Sequence, residues 1–370
     1  MEFIPINKPI MDERESKAAL AVIGSGRLTD GSYEGGKSVR ELEGKIRGLV
    51  GTKQVVAVNS GTAALHCALL ALGIKEGDEV IVPSFTFVAT ANVVLACGAK
   101  PVFADTKTDY NLDPEAFRRA VTRRTKAVIP VHLYGYPADM DEIREVAGAH
   151  SIHVVEDAAE SLGAEYRGKQ TGTLSDAGCF SMYASKVATS GEGGAVATNS
   201  DALADRLRLV RNHGMLHGYD SRYLGFNYRM PEVAAAIGSV QMDKLKDFLE
   251  ARVRNARFLM ERVAKVSDVK FTQDSVDRTH VFYLYTLYVK RNRDAIQKKL
   301  NKDGVGAAIY FRTPVHKTPL YTKLGLSRKH LKNTEDAARH VLSLPVHPGL
   351  TQADIERVAD EFLAATRELI

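Results

Sequence analysis

The sequence predicts an α/β fold, a mostly parallel sheet with helices on both faces, followed by a smaller α+β unit. Three observations carry this. From Val55 to Thr198, short apolar runs alternate with helical patterns, the signature of parallel strands joined by crossover helices. A long helix then opens on Pro231, a residue suited to a first helical turn. Beyond it the composition changes, and Val281–Val289 reads as an aromatic, alternating antiparallel strand. The expected division is residues 1–245 for the large unit, with an N-terminal arm, and 246–370 for the small one.

In order, an extended arm leads to a helix from Met11 to Ile23, stopped by Gly24-Ser25-Gly26. Strands are expected at Val55–Val58, Val80–Val82, Pro101–Phe103, Ala127–Val131 and His153–Val155, then on either side of a glycine-rich turn: an apolar strand that runs into Lys186, with Ser181 near its start, and Ala195–Thr198. Helices are expected at Ala63–Leu72, Val88–Ala96, Pro114–Val121, Met140–Ala149, Ala202–Val210 and Glu232–Ala264. The small unit adds helices Asp294–Leu300, Thr334–Leu342 and Gln352–Leu369 and a strand Ala307–Tyr310.

Composition excludes several classes. Of 370 residues, 45% are hydrophobic, and 50 basic side chains nearly balance 45 acidic ones, leaving +5. That is a mixed solvated surface rather than a nucleic-acid footprint, with a bias that suits an anionic substrate. No run reaches the length of a membrane span, and no secretory leader pattern opens the chain. Cys67, Cys97 and Cys179 lie in apolar contexts without a CxxC pair, which points to reduced thiols and a cytoplasmic setting. His213, His316 and His347 lack metal-ligand spacing, so no metal is expected.

The chemistry-bearing residues fall where strands hand over to helices, the place where ligands bind in such sheets. Lys186 follows an apolar strand and precedes Gly191-Glu192-Gly193-Gly194. A lysine so framed is desolvated; burial would lower its pKa and make it a nucleophilic amine. Ser60-Gly61-Thr62-Ala63 opens a helix after a strand, offering free N–H groups to a phosphate, although an ordinary serine cap reads equally well. Asp157 ends a strand and reads as a crevice carboxylate, a helix cap or a metal ligand. Phe87 suits stacking on a planar ring or the core, and Ser181 a phosphate or local backbone. Asn227 and Arg229 fit an anion site or a polar loop.

A rival is present. Gly31–Ser38 reads as a turn before a helix, but it also matches G-x-x-x-x-G-K-[ST], and Ile152–Asp157 resembles the acidic strand of an ATPase, so a P-loop NTPase stays open. The polar, glycine-rich residues before Gly31 do not form the buried strand that such a loop requires.

Six segments together resemble the DegT/DnrJ/EryC1/StrS sugar aminotransferases, fold-type I pyridoxal phosphate (PLP) enzymes. They are Asn59–Leu65, Pro83–Thr90, Glu156–Ala159, Ser181–Lys186, Gly191–Gly194 and Asn227–Met230. The resemblance implies that Lys186 forms a Schiff base with PLP and that Asp157 pairs with the pyridine nitrogen. It implies that Phe87 stacks on the ring and that Gly61, Thr62, Ala63 and Ser181 cradle the phosphate. Asn227 is implied to reach the cofactor of a second subunit, giving a homodimer with shared sites. The implied reaction carries an amino group, most often from L-glutamate, through pyridoxamine phosphate to a nucleotide-linked keto sugar. Members with histidine at the lysine position are dehydratases, so Lys186 favours amino transfer. Glu160 departs from the usual Gln or His facing the cofactor's ring hydroxyl, and this tilts the sugar towards a perosamine-type 4-keto-6-deoxy compound. Arg229 and His316 are implied to face the sugar nucleotide. A protein that holds PLP only for regulation is the remaining alternative.

Overall fold

A computed structural model describes residues 2–216, 218–272 and 275–370. Helices α1 (Glu13–Ser25) and α2 (Lys37–Val50) precede an alternation of β1 (Gln54–Val58), α3 (Gly61–Ala71), β2 (Glu79–Pro83), α4 (Ala89–Ala96) and β3 (Lys100–Ala104). It continues with α5 (Pro114–Ala120), β4 (Thr125–Val128), α6 (Met140–Ala149) and β5 (His153–Asp157). A small hairpin, β6 (Glu165–Tyr166) and β7 (Lys169–Gln170), leads to β8 (Ala177–Ser181), β9 (Gly194–Thr198) and α7 (Asp201–Arg211). The long α8 (Glu232–Val263) leads into β10 (Val269–Phe271), β11 (Tyr285–Val289), α9 (Arg293–Lys302), α10 (Pro319–Lys323), α11 (Lys332–His340), β12 (Val341–Leu344) and α12 (Gln352–Leu369).

The central sheet has the order β1-β9-β8-β5-β4-β2-β3. Only β9 runs against the others, pairing antiparallel with β1 and β8. The carboxyl ends of the other six strands therefore share one edge, where Ser60, Ser84, Asp157 and Ser181 lie. Helix α3 has short side chains along Gly61-Thr62-Ala63-Ala64 and is buried on nearly every side, so it packs close to the sheet. The three cysteines are free and buried. Among the described residues no helix is long and apolar enough to cross a membrane, and none form a metal-ligand cluster.

Residue 245 falls inside α8, which spans both cores. Its Ala235 and Leu245 pack with α2, whereas Ala256, Leu259 and Val263 belong to the core around β10-β11-β12. The N-terminal arm also reaches that second core: Ile4 bridges to Val305 and is buried there.

Three expected elements differ. The strand begins at Tyr285, not Val281, because the N–H groups of Val281 and Leu284 donate to the carbonyls of Gly135 and Tyr134 in the large unit. Ala307–Tyr310 makes only one bridge, Ala308 to Ser343. The helix expected through Leu342 stops at His340, since Val341-Leu342-Ser343-Leu344 pairs with β11 as its apolar neighbour strand.

The P-loop reading is overturned. Among the described residues no strand precedes Gly31, and the start of α2 is already filled by a protein carboxylate. Glu232, itself buried, accepts from the N–H groups of Ser38 (2.7 Å) and Val39 (3.3 Å). A Cβ on Gly36 would lie 2.2 Å from Glu232 Oε1, so the glycine is needed for this approach. A phosphate there would meet a negative charge. Replacing Glu232 with alanine leaves both donors without their partner and is expected to destabilise the chain by about 1–3 kcal/mol, read from urea unfolding.

Candidate active site

Lys186 sits in the turn after β8, its N–H donating to the Tyr183 carbonyl at 2.8 Å. Two bonds close this connection beneath it, Met182 N–H to Gly193 O and Ser190 N–H to Met182 O. The lysine side chain is 13% exposed, and its Nζ lies 3.4 Å from Glu160 Oε1 and 4.2 Å from the centre of the Tyr283 ring. Glu160 follows β5 and accepts from the Tyr134 N–H through its other oxygen, at 2.8 Å. Burial pushes the Glu160 carboxyl above its ordinary value, against the pull of Lys186.

The expectation of a lowered lysine pKa does not hold in this setting. Burial acts in that direction, but Tyr283, Glu160 and Asp157 outweigh it and raise the pKa. Both effects keep a proton in the Lys186–Glu160 pair.

Asp157 ends β5, paired in register with Cys179 of β8. Its oxygens accept from Thr90 Oγ1 (2.9 Å) and the Ala159 N–H (3.2 Å), and Thr86 Oγ1 lies 2.9 Å behind Thr90. Burial nevertheless raises its pKa, with these bonds opposing. Neighbouring Glu156 points the other way, as strand alternation requires.

Thr90 stands in the first turn of α4, and Phe87 lies just before it. The Phe87 ring is 58% exposed, touching Phe311 at a centroid distance of 6.5 Å, and so leaves a face open.

The start of α3 is held against the end of β8. A Cβ on Gly61 would come within 2.8 Å of Ser181 Cβ and 3.1 Å of its Oγ. Ser60 caps the helix by accepting from the Ala63 N–H at 3.1 Å, and the Ala64 N–H donates to the Ser60 carbonyl. The N–H groups of Gly61 and Thr62 have no partner within the helix, as a first turn dictates, and none elsewhere among the described residues. Two open donors beside a serine hydroxyl form an anion cradle.

Lys186, Asp157, Glu160, Ser181 and Gly61–Ala63 thus share one sheet edge. Asn227 is exposed, with its carbonyl accepting from Asn59 Nδ2 at 3.3 Å. Arg229 is half-buried and donates to Asn212 Oδ1 at 2.7 Å. His316 stands apart: it is fully buried, bonded to Ser84 Oγ at 2.6 Å and packed on Phe103, so it presents no atom to an incoming sugar. Sequence reasoning did not find Thr90, Tyr134 or Tyr283. Thr90 closes the Pro83–Thr90 segment, but a helix threonine alone carries no signal.

Residues 9–363 match the DegT/DnrJ/EryC1/StrS aminotransferase family. The chain is 43% identical to GDP-perosamine synthase of Caulobacter vibrioides over 334 residues, 87% of this chain and 88% of that protein. It is 39% identical to the UDP-N-acetyl-3-dehydro-alpha-D-glucosamine 3-aminotransferase of Acidithiobacillus ferrooxidans, covering 95% and 96%. Its fold matches the PLP form of Spr1654 from Streptococcus pneumoniae with a TM-score of 0.93, at 25% identity and covering all of both chains. The chain belongs to the DegT/DnrJ/EryC1/StrS aminotransferase family, and its cofactor is PLP.

The residues present fit that cofactor. The open N–H groups and Ser181 suit a phosphate, and the buried Asp157 carboxylate suits a protonated ring nitrogen. Lys186 supplies an amine within the same recess, and the free Phe87 face suits a planar ring.

Gly61→Ala is expected to weaken PLP retention about 10- to 100-fold, because the added methyl pushes α3 off Ser181; equilibrium dialysis followed by the visible absorbance of the protein checks this. A second expectation concerns pH. A carboxyl whose native pKa is raised binds protons better folded than unfolded. The cofactor-free chain therefore loses stability as pH rises from the ordinary aspartate range through the native value, by about 1.4 kcal/mol for each pH unit that separates the two. Asp157→Asn should flatten that fall, and Glu160 should preserve part of it, in urea unfolding across about pH 4 to 8.

Proposed function

We propose that the chain transfers an amino group from L-glutamate to a keto sugar linked to a nucleotide, with a perosamine-type 4-keto-6-deoxy sugar the first candidate. The observation that carries the reading is the convergence of Lys186, Asp157 and the open start of α3 on one sheet edge. The likeness to GDP-perosamine synthase supports the choice of sugar.

PLP, when bound, supplies an electron sink into which the bonding pair of a neighbouring C–H can spread. The chain's residues do the rest. Asp157, buried and carrying only neutral donors from Thr90 and Ala159, offers its negative charge to a protonated ring nitrogen. Lys186 Nζ takes a proton at the amino donor's α-carbon and returns one on the other side of the exchange; the acceptor sugar reverses the order. Glu160, at 3.4 Å, stabilises the ammonium formed each time. Gly61, Thr62 and Ser181 fix the phosphate, and Phe87 limits ring tilt.

Asn227 is assigned to the site of a second subunit in a homodimer, which its exposure supports. Arg229 is assigned to the sugar nucleotide; it lines a small hollow together with Asp30 and Ser32. The buried free thiols support a reducing, cytoplasmic setting.

The test is a panel of GDP-, UDP- and dTDP-linked keto sugars with L-glutamate, scored by mass spectrometry for the amino sugar. Amination of at least one is expected, and Lys186→Ala should lower the rate by a factor of about 100 to 10,000 or more. A chain that binds PLP, shows no half-reaction with glutamate and aminates none of the panel would leave only a binding role.

A further inference from the structure

Beyond the more general pull of Asp157, Lys186 has two near neighbours, and one of them is the Glu160 carboxylate. The other is the face of Tyr283, a buried residue from the small unit's side of the chain, 4.2 Å from Nζ. An ammonium gains from a ring face as well as from an anion, and a neutral amine gains little from either.

Tyr283 is held in place from several directions. Its hydroxyl lies 3.0 Å from Ser185 Oγ, one residue before the lysine. The flanking N–H groups of Val281 and Leu284 are bonded to the Gly135 and Tyr134 carbonyls. The Tyr283 carbonyl accepts from Arg252 Nη1 of α8 at 3.1 Å. Arg252 is buried, and its Nη2 donates to Asn7 Oδ1 at 3.1 Å. Asn7 in turn donates its amide to the Ser185 carbonyl. The path closes on itself: Ser185, Tyr283, Arg252, Asn7 and Ser185 again. Polar groups bonded in a closed ring, two of them buried and two half-buried, have few alternative arrangements.

We propose that Tyr283 is a positioning residue for Lys186. Its ring packs against the ammonium, and the Asn7–Arg252 brace fixes the distance by gripping both Tyr283 and the lysine's own turn. The inference rests on Lys186 being the reacting amine. A lysine that must collect a proton from carbon is aided by a surface that stabilises the charged product. Glu160 supplies one contact at 3.4 Å, and the ring supplies a second at 4.2 Å that narrows where Nζ can sit.

The test measures Lys186 itself, without substrate. The full-length chain freed of PLP is acetylated with acetic anhydride over a range of pH, and labelling of Lys186 is followed by peptide mass spectrometry. The midpoint for Tyr283→Leu is expected about 0.5 to 1.5 pH units below that of the unaltered chain. Tyr283→Phe, which keeps the ring, retains most of the unaltered value. Asn7→Ala is expected to raise the labelling rate of Lys186 at a fixed pH and to leave distant lysines as they were. An unchanged midpoint in a folded Tyr283→Leu chain overturns the proposal, as does an equal drop in the leucine and phenylalanine variants. If the leucine variant does not fold, Tyr283→Met, which keeps bulk without a ring face, gives the same comparison. These outcomes are independent of the sugar panel, so failure there with the expected midpoints here counts against the substrate alone.

Discussion

The site depends on a buried carboxylate that takes no part in its chemistry. Glu156 is fully enclosed and accepts four bonds: from His132 Nε2 (2.9 Å), the Gly172 N–H (2.7 Å), the Leu174 N–H (2.8 Å) and Ser175 Oγ (2.8 Å). His132 accepts from the Ala138 N–H through its other nitrogen, at 3.1 Å, which assigns the proton to Nε2. A charge so enclosed is tolerable only when every oxygen is satisfied. That demand ties the segments around residues 132–138 and 172–175 to one point on β5. The first of them carries Tyr134, whose N–H orients Glu160 and whose carbonyl receives the Tyr283 segment.

Strand alternation then divides the labour. Glu156 faces inward and is saturated with donors; Asp157, next along, faces the recess and receives donors only from Thr90 and Ala159 among the described residues. A carboxylate kept short of partners in a buried place has unused capacity for a cation. The same holds for the start of α3, where two N–H groups stay open because Ser60 satisfies only the next ones. The recess is polar and incomplete within a framework that is otherwise satisfied, which is what a ligand site requires.

Much of this could be read from the letters. The alternation of apolar runs and helical patterns specified the sheet, since both faces of a parallel sheet are buried. The six short segments located Lys186, Asp157, Ser181 and the α3 start, because each lies next to its strand in the chain. What depended on distant pairs was not legible. Val281–Leu284 looks like strand by its side chains, yet its backbone is bonded to the Tyr134 and Gly135 carbonyls, a pairing that no local pattern encodes. Glu232 fills the apparent phosphate loop across 194 positions. The proton affinity of Lys186 follows from Glu160 and Tyr283, not from burial alone.

The chain's first residues are fastened to distant parts of it, from the middle to the last helix. Ile4 pairs with Val305, Arg357 donates to the Glu2 carbonyl, and Asn7 joins Ser185 and Arg252, 178 and 245 positions away. During synthesis this arm leaves the ribosome early and has to wait, unattached, until its partners emerge. The lysine's turn can form as soon as β8 and β9 meet, but its brace cannot. The surroundings of the amine can therefore be completed only after the chain has extended past Tyr283, about a hundred residues beyond the lysine they serve.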